Sequence, residues 1–209
     1  MGTVMETLQS FLTLLIPLLI IMDPFGNLPL FLLFTAQNSE AEQRRMAAVA
    51  AGAAGLILLF FALSGDVILR FFNISLPAFQ LAGGFIFFIY ALQMLQILPV
   101  GLKSTTEEEQ EGVAKENIAL VPLATPMLAG PGAITAVLVW KQQPASAGIA
   151  ELVLAILLSC LASYAVFFLG ERISRLLGVS GIKVITRLMG LLLAVIAVQF
   201  MVNGLKQIW

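Results

Sequence analysis

MDPFGNLPLF, residues 22–31, is the stretch that decides how this chain folds. It lies inside an apolar run over 9–35 that is long enough to cross a bilayer. Proline removes a backbone N–H and clashes with the preceding turn. Pro24 and Pro29, with Gly26 between them, therefore predict a spanning helix broken near its middle. Hydrocarbon cannot satisfy the freed N–H and C=O groups, so they must face protein or a watery cavity. Asp23 is the only ionisable residue deep inside any predicted span. A charge at a helix centre costs about 2.5–3.5 kcal/mol on insertion scales, and a residue kept there reads as functional. It could bind a substrate ammonium or a cation, or carry a coupling proton. The structural alternative is an N-cap for the half-helix that opens at Pro24. Asn27 carries the same pair of readings.

Working outward, the rest of the chain has the composition that a bilayer requires. Of 209 residues, 60% are hydrophobic and 11% charged, against about 25% charged in soluble domains. So few charges cannot cover a water-facing surface of this size. With 11 basic and 12 acidic residues the net charge is −1, so there is no basic excess to attract nucleic acid. The single Cys160 excludes an internal disulfide and a zinc-type cysteine cluster. With no histidine, histidine relays, triads and metal sites are absent, and no cofactor is expected. The N-terminal apolar run lacks a preceding Lys or Arg and contains an Asp, so it reads as a first span and not as a signal peptide.

Six apolar stretches of spanning length fall at about 9–35, 46–64, 77–98, 118–140, 147–169 and 186–205. The connections are polar, the longest being the acidic stretch 101–117. A basic segment, 171–187, is expected at the membrane surface. With the N-terminus outside, the inner connections hold eight of the eleven Lys and Arg residues and the outer ones three (Arg70, Lys141 and Lys206). The positive-inside rule then places both termini outside.

The chain also repeats itself. Pro24 and Pro29 match Pro126 and Pro131 at an offset of 102, in a second broken stretch that contains Thr125, Gly130 and Gly132. Gly65, Arg70 and Ser75 match Gly170, Arg175 and Ser180 at 105, and Gln93 matches Gln199 at 106. A unit of three spans is odd, so its second copy must enter the membrane from the other side. The expected fold is all-α: six transmembrane helices in two inverted three-helix repeats, with the first and fourth helices broken near the midplane. Residues 1–100 form the first repeat, 101–117 a cytoplasmic linker and 118–209 the second repeat.

MDPFGNLPLF (22–31), PLATPMLAGPGAIT (122–135) and the closing RLMGLLLAVIAVQFMVNGL (187–205) together resemble the MarC family of bacterial and archaeal inner-membrane proteins. The resemblance runs over essentially the whole chain. It implies six spans, both termini in the periplasm, and a link to the transport of small neutral amino acids such as glycine and alanine.

Inverted repeats with broken helices are a mark of secondary transporters, whose sites lie near the midplane. Half-helix N-termini would face a substrate carboxylate, and half-helix C-termini or an acid its ammonium. The expected substrate-binding set is Asp23, Gly26, Asn27, Thr125, Gly130 and Gly132, with the helix breaks at Pro24, Pro29, Pro126 and Pro131. Proton or sodium coupling fits equally well, and no nucleotide-binding loop is present. An enzyme is not expected, because intramembrane acid chemistry usually needs a partner for Asp23 and the only other aspartate, Asp66, sits at a span end. A membrane scaffold or partner protein is the alternative class. A six-span unit is also small enough to dimerise.

Overall fold

The computed structural model describes residues 2–98, 128–142 and 148–208. The linker over 101–117 lies outside the described residues, as do Thr125 and Pro126. Within them the chain is helical without strands: α1 (Gly2–Met22), α2 (Pro24–Thr35), α3 (Glu40–Phe71), α4 (Leu76–Met94), α5 (Pro131–Gln142), α6 (Ile149–Phe168) and α7 (Gly170–Ile208). Five stretches are long and apolar enough to cross a membrane: Leu8–Thr35, Glu40–Gly65, Leu76–Met94, Ile149–Phe168 and Ser180–Ile208. Of the expected fourth span only the second half is described, where the apolar helix Gly132–Lys141 lies within α5.

Local chemistry sets the helix ends. Ser39 and Glu42 form a capping box that starts α3. Ser75 caps α4, with proline in its first turn. Gly178, at φ 63°, breaks the helical path of α7, in a conformation that costs glycine little. Helical geometry resumes after Gly178, and the last stretch of spanning length, Ser180–Ile208, overlaps the basic segment 171–187. Arg187 lies within that span and donates to Oε1 of Gln96, just past the end of α4, at 2.6 Å.

Large apolar side chains point outward along the spans, among them Leu33, Leu56, Phe60, Leu161 and Val195. In water such a surface would associate; in a bilayer it is simply the lipid-facing side. The interior is filled by Leu18, Met22, Leu28, Phe31, Leu58, Ile156 and Leu193.

Three pairings organise the bundle: α4 lies along α7, α3 along α6, and α1 touches both α5 and α6. The α4–α7 seam is tight because small residues line it. A methyl group at Gly84 would sit 2.9 Å from both the Ala197 carbonyl oxygen and the Met201 nitrogen. One at Gly190 would sit 3.3 Å from the Ala91 carbonyl oxygen and 3.4 Å from Leu95 Cγ. The α3–α6 pair meets at Gly55, where an added methyl would lie 3.3 Å from Cys160 Sγ.

These contacts also give the helix directions. Arg44, near the start of α3, stacks 4.8 Å from the Phe168 ring at the end of α6, while Gly55 further along α3 meets Cys160 earlier on α6. The two helices are therefore antiparallel. Lys141 near the end of α5 donates to the Leu63 carbonyl at 3.0 Å, and Gly65 packs against Leu138.

Candidate functional site

The first break is a single residue. α1 runs through Met22, and Asp23 adopts a left-handed conformation (φ 41°, ψ 64°) before α2 starts at Pro24. Such a conformation is uncommon for a residue other than glycine, although Asp is among the more tolerant. Short polar side chains hold it in place. Oδ1 of Asp23 accepts from the Gly26 N–H at 3.0 Å, and Nδ2 of Asn27 donates to the Met22 carbonyl at 3.0 Å. Both side chains are 2% exposed. The capping geometry is thus present, and the backbone groups freed by the break are partly bonded by these two residues. Gly26 is needed there, because a methyl group on it would overlap the Asp23 carboxyl.

Pro29 does not break the span. It lies inside the continuous helix α2, where the turn tolerates its missing donor. The break expected across Pro24–Pro29 is therefore confined to Asp23–Pro24.

The second break lies at Gly130. Its carbonyl accepts the Ile134 N–H at 3.1 Å, as the Asp23 carbonyl accepts the Asn27 N–H at 3.1 Å. α5 then opens at Pro131 as α2 opens at Pro24, and each runs for 12 residues. Pro24 and Pro131, 107 positions apart, thus open helices of the same length; Pro126 lies outside the described residues. At the cap position Gly130 stands where the first break has Asp23. The N–H groups of the first turn of α5 present the positive end of the helix dipole.

α4 passes both breaks. Phe87 packs against Gly132 closely enough to leave no room for a side chain there, and Gly83 likewise against Thr135. One turn beyond Phe87, Tyr90 stands within electrostatic reach of the Asp23 carboxyl. The structure thus brings Asp23, Gly26 and Asn27 together at one break and places Gly130 and Gly132 at the other, where α4 packs against the start of α5.

Sequence reasoning missed Tyr90 and Thr135 as neighbours of these breaks. Thr135 is a nearly buried hydroxyl with no local motif to mark it; only its position in an apolar run could have drawn attention.

Comparison with known proteins follows the same line. The family model described as MarC family integral membrane protein matches residues 8–209. A UPF0056 membrane protein of Aquifex aeolicus is 41% identical, covering 95% of this chain and 93% of its own length. One of Methanocaldococcus jannaschii is 40% identical over 95% of this chain and 97% of its own. The UPF0056 membrane protein YhcE of Escherichia coli is 34% identical over 93% and 91%. No solved structure matches the chain.

Proposed function

The chain belongs to the MarC family of integral membrane proteins, and we propose that it is a secondary transporter of small neutral solutes, namely amino acids of the size of glycine and alanine. The observation that carries this is the pair of half-helices α2 and α5. Each has 12 residues and each opens with a proline inside an apolar stretch. Such an arrangement offers a zwitterion both of its complements: a carboxyl at Asp23 for the ammonium and the N-terminal end of α5 for the carboxylate.

The inverted repeat belongs to the same proposal, and the α4–α7 seam supports it. Gly84 and Gly190 are 106 positions apart, as are Ala91 and Ala197, and Leu95 and Met201. Gly84 approaches Ala197 and Met201, while Gly190 approaches Ala91 and Leu95. That reciprocity is what a two-fold relation requires of its contacts. Gly55 and Cys160, 105 apart, meet each other, as positions on the axis would. The proposed setting is the bacterial or archaeal cytoplasmic membrane, with both termini outside and coupling to a proton or sodium gradient. The chain acts in this reading as a carrier and not as an enzyme.

Reconstitution in liposomes tests it. Labelled glycine or alanine should accumulate under an imposed ion gradient, and Asp23→Asn should reduce that flux. Folded protein that moves neither solute in either direction would remove the proposal.

A further inference from the structure

α7 carries two stripes of side chains at heptad spacing, and only one of them is covered. Gly190, Leu193, Ala197, Phe200 and Gly204 are buried, and the two glycines approach α4. Leu188, Leu192, Val195, Gln199 and Val202 follow the same alternation of three and four residues, yet all five are exposed. That alternation is the one by which a helix lies along a partner helix. Were the second stripe wholly apolar, lipid chains would suffice for it.

Gln199 is the member that lipid cannot serve. Arg187 and Lys206 stand 19 residues apart on α7, about 28 Å at 1.5 Å per residue, which matches a hydrocarbon core about 30 Å thick. Gln199 lies seven residues inside Lys206, about 10 Å into that core. Its Nε2 donates to Oδ1 of Asn203, one turn on, at 2.7 Å. Neither amide makes another side-chain hydrogen bond among the described residues. One N–H of Gln199, both of Asn203 and the Gln199 carbonyl oxygen are left over, and hydrocarbon offers them nothing. The hydroxyls of Thr13 and Ser64 on other spans differ, because each donates to a carbonyl of its own helix and needs no neighbour.

An amide is both donor and acceptor, so its complement is another amide. In a dimer with its two-fold axis along the membrane normal, α7 and its copy run parallel, and each residue meets its own counterpart at the same depth. The Gln199–Asn203 pair then faces an identical pair. The other candidate, Gln93 on α4, is half-buried and lies elsewhere in depth. Gly84 meets Ala197 and Met201 while Gly190 meets Ala91 and Met94, so α4 and α7 are antiparallel and Gln93 stands near the level of Gly190.

We infer that α7 is the dimer helix of this protein: two copies pack along the stripe from Leu188 to Val202, and the amides of Gln199 and Asn203 in each copy bond to those of the other. A polar residue at one position of such a stripe fixes its register and the number of helices. The inference is independent of which solute is carried.

Full-length protein labelled with donor and acceptor dyes, reconstituted in liposomes and diluted with lipid, reads association by energy transfer. Wild type should associate. Gln199→Leu should associate about five- to thirtyfold more weakly, the range for hydrogen bonds between spanning helices, and should melt with wild type in dilute detergent. Gln93→Leu should associate as wild type does. A second measurement does not need the leucine variant to fold. In a Cys160→Ser background, Val195→Cys should give a covalent dimer in membranes under mild oxidation, while Leu161→Cys, exposed on α6, should stay monomeric. Wild type that is monomeric at every dilution overturns the inference, as does Gln199→Leu that associates as tightly as wild type. Equal cross-linking from Leu161→Cys and Val195→Cys overturns it too. So does Val195→Cys that joins only a different protein, because the stripe would then serve a hetero-complex.

Discussion

Replacing Gly84 with alanine probes the α4–α7 seam most directly. The added methyl would meet the Ala197 carbonyl oxygen and the Met201 nitrogen at 2.9 Å, and Met201 Cγ at 2.8 Å. Ordinary carbon contacts lie at about 3.5–4.0 Å. Two of the three obstacles are backbone atoms, so no rotamer change relieves them and the helices must part by about 0.5–1 Å. Overpacking of this kind costs about 1–3 kcal/mol, a five- to more than a hundredfold shift in the unfolding equilibrium. Gly190→Ala should cost less: its backbone obstacle, the Ala91 carbonyl oxygen, lies further off at 3.3 Å, although Met94 Cβ is at 2.8 Å. Both changes widen one seam, so the double variant should be less destabilised than the sum of the singles. Denaturant unfolding in mixed micelles would measure all three. A Gly84→Ala protein as stable as wild type, or a strictly additive double variant, would refute the close-packed seam.

Three further outcomes follow from the same geometry. Gly26→Ala should expel the Asp23 carboxyl from its bond to the Gly26 N–H, with a loss of about 1 kcal/mol for the cap and of glycine flux in liposomes; unchanged flux would separate Asp23 from function. Ser39→Ala removes an exposed capping box at the start of α3, so thermal unfolding should show a loss of about 1 kcal/mol while flux stays at the wild-type level. A reporter fused after Trp209 should be active when it requires the periplasm and silent when it requires the cytoplasm; the reverse pattern overturns the proposed orientation.

Much of this molecule is legible in the sequence because bilayer physics is local. Hydrophobic length alone located the spans over 9–35, 46–64, 77–98 and 147–169 to within a few residues of the observed helices. The last span escaped in part, because Lys183 and Arg187 made its first turns look like a surface segment. Their side chains lie near the end of the span, where one of them bonds to Gln96. Asp23 also stood out from sequence, since an acid within an apolar run has few reasons to be there.

Tertiary structure decided the rest. Pro24 and Pro29 look alike in the sequence, yet one starts a helix and the other sits within it, because the left-handed turn at Asp23 already accounts for the break. Sequence determines which segments enter the membrane, through the cost of exposing polar groups to hydrocarbon. Which interior groups meet there depends on side-chain packing between helices distant in the chain, and no local pattern encodes that.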